Sequence, residues 1–187
     1  MSFLDLQTGW LSGVQRCPSP NHDERPAETL IDLLVIHGIS LPPGRFGGPW
    51  IADLFTNRLD PEAHPYFAEI HQLRVSAHVL IRRDGEVLQF VPTTRRAWHA
   101  GLSCFAGRER CNDYSIGIEL EGVDDAPYED AQYVRLVDVT AALRRAYPRI
   151  TPERIVGHSD IAPGRKTDPG PAFDWARYRA RVEEVAA

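Results

Sequence analysis

The 187-residue chain reads as an α/β domain of three layers, a mixed central β-sheet flanked by helices on both faces. Short apolar runs alternate along it with amphipathic helical stretches, the pattern of a sheet covered by helices. One pair of runs is joined by Arg83-Asp84-Gly85, and an Asp-Gly turn between apolar strands makes that pair antiparallel, so the sheet must be mixed. No repeat, linker or low-complexity tract divides the sequence, and residues 1–187 are expected to form a single domain.

In chain order, residues 1–30 carry Pro18, Pro20 and Pro26 among polar residues and predict an extended segment lying over the surface, with Cys17-Pro18-Ser19-Pro20-Asn21 as a rigid loop. Leu33-Leu34-Val35-Ile36 is too short for a helix and apolar throughout, which marks a strand buried on both faces, and His37 closes it. Pro42-Pro43-Gly44 and Gly47-Gly48 form a loop. Pro49 then opens a helix whose Trp50, Ile51, Leu54 and Phe55 share one face. Residues 60–74 show little periodicity and read as a binding loop. Residues 77–81 and 86–91 flank the Asp-Gly turn, and Ala97-Trp98-His99 opens an irregular segment. From Ser115 to Glu121 the chain alternates, with Ile116, Ile118 and Leu120 on one face and Gly117, Glu119 and Glu121 on the other. Tyr133, Leu136, Val137, Thr140 and Leu143 fall at helical spacing within residues 129–147, and Pro148 stops that helix. Asp174 caps a last helix through Trp175, Tyr178 and Val182.

Composition excludes several classes of partner. The net charge is −5 and the sequence pI about 5.8, so no basic field exists to attract nucleic acid or anionic lipid. The first ten residues lack a basic stretch followed by an apolar one, and no run approaches the roughly 20 apolar residues of a membrane span. A cytoplasmic protein without nucleic-acid or membrane partners is expected. Three cysteines, Cys17, Cys104 and Cys111, are an odd number without CxxC spacing and read as thiols.

Chemistry concentrates after Gly157. The loop His158-Ser159-Asp160-Ile161-Ala162-Pro163-Gly164-Arg165-Lys166-Thr167-Asp168-Pro169-Gly170 holds an imidazole, an ammonium and carboxylates between two Pro-Gly turns. His158 follows the short strand Ile155-Val156, as His37 follows its own. Two strands each ending in His, with a downstream carboxylate, make a His2Asp site that leaves zinc a position for water. Asp160 competes with Asp168 for the third place; the residues favour Asp168 without excluding Asp160. Glu119 in mid-strand would ordinarily be a solvated residue, but Gly117 on the same face leaves room for something close. Among the other histidines, His78 reads as a buried, hydrogen-bonded core residue and His99 as a substrate contact or the orienter of a neighbour. His22 and His64 read as exposed, and His71 lies on a short helical turn.

The motifs Cys17-Pro18-Ser19-Pro20-Asn21, Leu34-Val35-Ile36-His37, Val75-Ser76-Ala77-His78, Ala97-Trp98-His99-Ala100-Gly101, Ile116-Gly117-Ile118-Glu119-Leu120-Glu121-Gly122 and Arg165-Lys166-Thr167-Asp168-Pro169-Gly170-Pro171 run almost from end to end. In them the chain resembles the AmpD-type N-acetylmuramoyl-L-alanine amidases, zinc hydrolases of cell-wall recycling, and through them phage amidases and peptidoglycan recognition proteins. The resemblance implies a Zn2+ cofactor held by His37, His158 and Asp168, with Glu119 and Lys166 as the catalytic pair. It implies a muropeptide substrate, cut between the lactyl group of (1,6-anhydro-)N-acetylmuramic acid and L-alanine. Toward such a substrate Trp98 offers a ring to stack on a pyranose, Arg74 and Arg110 offer bidentate partners for carboxylates, and Asn112 and Ala162 complete the candidate contacts. Gly38 stands where close cytosolic relatives carry Asn. A monomer is expected. The alternative function is a muropeptide sensor, because the wider family includes recognition proteins that keep the groove and lose the metal.

Overall fold

The computed structural model describes residues 3–186. Met1, Ser2 and Ala187, which belong to the predicted domain, lie outside the described residues. In chain order the elements are β1 (Gln15–Arg16), β2 (His22–Asp23), β3 (Leu33–Ile39), α1 (Trp50–Phe55), α2 (Pro65–Ile70), β4 (Val79–Ile81) and β5 (Val87–Gln89). They continue with β6 (Arg96–Ala97), β7 (Cys104–Phe105), β8 (Arg108–Glu109), β9 (Ser115–Glu121), α3 (Asp130–Ala146), β10 (Ile155–Gly157), α4 (His158–Ile161) and α5 (Trp175–Ala186).

Six strands form the central sheet in the order β1-β5-β4-β9-β3-β10. The hairpin pair β4 and β5 is antiparallel and every other neighbouring pair is parallel, which makes the sheet mixed as the Asp-Gly turn requires. β3 and β9, its longest strands at seven residues each, lie side by side and each carries a neighbour on both edges. Leu33, Leu34, Val35 and Ile36 are accordingly 0% exposed.

One face is a continuous apolar layer. Leu34, Ile36, Ile116, Ile118 and Leu120 pack against Leu136, Val139 and Leu143 of α3 and Tyr178 and Val182 of α5. Burying each such side chain contributes roughly 1.5–3 kcal/mol before entropy is counted. α3 begins with a reciprocal Glu129–Gln132 capping box. Gln132 Nε2 also donates to the carbonyls of Ile81 and Glu121, which ties the helix start to the ends of β4 and β9.

The other face is covered in two patches. Leu80, Leu88 and Phe90 pack under α1 and α2, whereas Leu33, Val35 and Val156 pack under Tyr114, Cys111 and Ile161 of the segment before β9 and of α4. His37 and Glu119 project between the patches.

Three local expectations change. Residues 1–30 do more than lie over the surface: β1 extends the sheet edge beside β5, and Asn21 Nδ2 bonds the carbonyls of Phe55 and Val75 in the interior. An open sheet edge needs partners for its N–H and C=O groups, and this segment supplies them. Residues 60–74 contain α2, opened by Pro65 and capped by His64 Nδ1, which accepts from Tyr66 N–H at 3.1 Å; six residues are too few to show a period. His22, expected in an exposed loop, is half-buried in β2 against β6.

Candidate metal centre and cleft

The register of the central strands sets the site. His37 on β3 pairs directly with Glu119 on β9, so both side chains leave the same face of the sheet. β10 lies on the other side of β3 and ends at Gly157, which delivers His158 next to His37. Asp160 Oδ2 accepts from Gly157 N–H at 2.7 Å, so this carboxylate is committed to its own turn. Asp168 returns from the following loop, held by Ser159 N–H donating to its backbone carbonyl.

His37 Nδ1 and His158 Nδ1 lie 3.0 Å apart, and Asp168 Oδ2 lies 3.3 Å from the first and 3.1 Å from the second. These three residues form a group that could hold a metal ion. Burial pushes His37 down to about 4, with His158 acting in the same sense and Asp168 against it, so its ring is neutral near pH 7. Burial also opposes ionisation of Asp168, but an imidazolium pointing Nδ1–H at Oδ2 outweighs it and holds the carboxyl well below the usual range whenever either ring is charged. Glu119 goes the other way: burial, then the Asp168 carboxylate, push it well above its usual range, and Lys166 draws it back only in part. Its Oε2 is buried and finds no hydrogen-bond partner among the described residues.

Glu119, Lys166, Asp168 and His158 line a cleft of about 580 Å3 together with the apolar side chains of Leu54, Phe55, Ile70 and Leu73. Trp98 and Tyr66 also line it. Of the other residues expected to meet substrate, Arg74 is exposed between the cleft residues Leu73 and Val75. Arg110 is exposed, pairs with Asp113, and borders a separate depression with Glu109 and Ile161. Asn112 Oδ1 accepts from the backbone amides of His99 and Ala100. Ala162 is buried behind His158, and its carbonyl accepts from the amides of Arg165 and Lys166.

Sequence reasoning left Tyr66 and Tyr128 unassigned. Tyr128 is 5% exposed and donates its hydroxyl to the carbonyl of Pro169, next to Asp168. A Cβ on Gly38 would stand 2.4 Å from that hydroxyl oxygen, so the Gly after His37 makes room for Tyr128. The signal was a Gly inside a strand; the occupant of the space lies far along the chain. Likewise the room beside Gly117 holds the ring of His99, 2.5 Å from where a Cβ would be.

A mixed α/β sheet whose parallel strands lead into a possible metal site, with a second, buried carboxylate of raised proton affinity alongside, is the equipment of a hydrolase. The chain belongs to the N-acetylmuramoyl-L-alanine amidase family, whose sequence profile matches residues 26–171. It is 63% identical over 179 residues to the 1,6-anhydro-N-acetylmuramyl-L-alanine amidase AmpD of Escherichia coli (strain K12), covering 96% of this chain and 97% of that protein. A crystal structure of a selenomethionine AmpD derivative superposes with a TM-score of 0.93 at 62% identity, over 96% of this chain and 99% of that one. More distant is AmiD of E. coli, solved in complex with the substrate anhydro-N-acetylmuramic acid-L-Ala-D-gamma-Glu-L-Lys. It has a TM-score of 0.60 and 31% identity, over 84% of this chain and 60% of that one. Among the described residues no helix is long and apolar enough to cross a membrane.

Proposed function

We propose that the chain is a zinc amidase that cleaves the amide between the lactyl group of 1,6-anhydro-N-acetylmuramic acid and L-alanine in muropeptides. It acts as a monomer in cytoplasmic cell-wall recycling, with residues 1–187 as one domain. The observation that carries this is the convergence of His37 Nδ1, His158 Nδ1 and Asp168 Oδ2 at 3.0–3.3 Å. Tetrahedral zinc with donors at roughly 2.0–2.2 Å spaces neighbouring donors by about 3.4 Å, so the three atoms fit it with small adjustments.

Zinc bound there supplies a Lewis acid for the amide carbonyl and lowers the pKa of water towards ~7. Glu119 lies on the strand row of His37 and takes a proton from the attacking water as its oxygen adds to the carbonyl carbon. It returns that proton to the departing nitrogen as the C–N bond breaks, and the remaining proton of the new lactyl carboxyl group passes to the amine, leaving a lactyl carboxylate and the ammonium group of L-alanine. The raised proton affinity of Glu119 suits the second transfer. Lys166 offsets the negative charge that grows on the carbonyl oxygen. Trp98 offers its ring to the sugar, and the exposed guanidinium groups of Arg74 and Arg110 suit carboxylates of the peptide.

The test is incubation of zinc-loaded and chelator-treated protein with an anhydromuropeptide, followed by mass spectrometry. Free anhydro sugar and free peptide are expected only from the zinc-loaded sample. Tight binding without either product would instead make the chain a muropeptide sensor.

A further inference from the structure

The two histidines of the centre each have an outer nitrogen, and both outer nitrogens meet the same dipeptide. His158 Nε2 lies 3.2 Å from the carbonyl oxygen of Ala100, and His37 Nε2 lies 2.9 Å from Nδ1 of His99. The first contact has one solution: a carbonyl accepts, so His158 carries hydrogen on Nε2 and its Nδ1 is a lone pair in the neutral ring. The second is decided further out. Ser115 Oγ lies 2.6 Å from the carbonyl of Cys111, which takes the only hydroxyl hydrogen, and 3.2 Å from His99 Nε2. The hydroxyl must therefore accept from His99 Nε2–H. That leaves His99 Nδ1 as an acceptor, so His37 donates through Nε2–H and turns the lone pair of Nδ1 inward.

We infer that the His99-Ala100 dipeptide orients both histidines of the centre, with Ser115 fixing the hydrogen of His99 and Asn112 pinning the dipeptide, an assignment that rests on the zinc amidase function proposed above. Asn112 Oδ1 accepts from both amides of the dipeptide, at 3.2 Å from His99 N and 2.8 Å from Ala100 N. Arg165 adds a donor to the Ala100 carbonyl at 2.8 Å. The ring of His99 is seated where only Gly117 leaves space. With both outer hydrogens placed, each ring in its neutral form turns an Nδ1 lone pair toward the Asp168 carboxylate, three donor atoms disposed to share one cation. His99 is thus a positioning residue. It explains why an imidazole beside the cleft has both its nitrogens turned to protein groups.

The experiment compares the full-length protein with His99→Leu, His99→Gln and Ser115→Ala. Zinc affinity is read by competition with a chromophoric chelator, and the His37 tautomer by 15N chemical shifts of the metal-free chain. Removing the outer partner of a metal-bound His typically weakens binding by about 10- to 100-fold. His99→Leu should show that loss, His99→Gln should recover part of it because an amide oxygen can accept from Nε2–H, and Ser115→Ala should fall between. In the unsubstituted metal-free chain His37 should carry its hydrogen on Nε2, a measurement that stands even if a variant does not fold. A His37 hydrogen on Nδ1, or zinc binding equal in all folded variants, would overturn the inference. Failure of the unsubstituted chain to bind zinc at all would instead overturn the zinc amidase function.

Discussion

The two faces of the sheet are made from alternate residues of the same strands, and they meet opposite demands. Along β9, Ile116, Ile118 and Leu120 join the continuous layer under α3 and α5, whereas Ser115, Gly117 and Glu119 face the side where the cover is split. Along β3, Leu34 and Ile36 do the first job and His37 the second. A strand buried on both sides can thus hold the fold together with one row of side chains and carry polar groups on the other. Those polar groups are tolerated because almost every buried nitrogen and oxygen around them has a partner. Glu119 Oε2 is the exception in the site, and it belongs to the group proposed to move protons.

Neighbouring residues of β9 should therefore fail in different ways, and this is the largest expected contrast. Glu119→Gln keeps the shape but removes the base, so kcat should fall by ~10² to 10⁴ while zinc content and thermal midpoint stay near those of the unsubstituted chain. Ile118→Ala should cost about 2–5 kcal/mol of stability through the cavity it leaves, with kcat per folded molecule little changed. Steady-state kinetics beside a denaturation curve measures both. Near-normal turnover by Glu119→Gln would take it out of the chemistry.

A finer contrast lies inside the loop. Lys166→Ala should lower kcat by ~10² to 10³, the size of losing one oxyanion donor, with zinc retained and substrate affinity changed much less. Asp168→Ala removes a ligand, so zinc and activity should be lost together. If Lys166→Ala also lost its metal, Lys166 would be a support for Asp168, and its oxyanion role would pass to another donor.

Next in size is the contact between β3 and the loop. Gly38→Ala places a Cβ 2.4 Å from the Tyr128 hydroxyl oxygen but 3.7 Å from its Cζ. It should destabilise by about 1–3 kcal/mol, as overpacking does. Adding Tyr128→Phe deletes the clashing oxygen together with its bond to Pro169. The double variant should be more stable than Gly38→Ala alone, and simple additivity of the two losses would mean that the clash relaxes elsewhere.

How much of this could be read from sequence follows from the range of the interactions. Ser115–Glu121 was readable to the residue because strict alternation on a strand is a local signal. His158 was readable as the residue after a strand, whereas His37, read as closing its strand, lies two residues before the end of β3, which runs on to Ile39 beside β9. Their meeting follows from strand order, which local patterns leave open. That His37 is the neighbour His99 orients was out of reach: the two are 62 residues apart, and the link through Ser115 depends on which strand lies beside which. Arg25 was out of reach for a different reason. In a polar, proline-rich stretch it resembles a surface cation, yet its guanidinium donates to the carbonyls of Thr93, Asn112, Asp113 and Ser115. Burial draws its pKa down to about 10. A cation satisfied by carbonyls leaves no trace in charge patterning.

The last contrast is in the stability of the metal-free protein, and it also separates the two faces. Burial, then Asp168, raise the Glu119 pKa in the folded chain above its unfolded value of about 4.5. Between those values the folded state keeps a proton that the unfolded state has released, so stability falls as pH rises through that window and is fully present below the unfolded pKa. Gln at the same position cannot ionise and is free of this loss. In the presence of a chelator, Glu119→Gln and the unsubstituted chain should therefore have nearly the same denaturation midpoint at about pH 4, and the variant should gain an advantage towards about pH 8. Ile118→Ala, on the apolar face, should instead be offset from the unsubstituted chain by the same amount at both pH values, because no proton is exchanged at that site. A constant offset for Glu119→Gln as well would mean that its carboxyl titrates in the folded chain as it does in the unfolded one, and the raised proton affinity that suits its part in the chemistry would be absent from the metal-free protein.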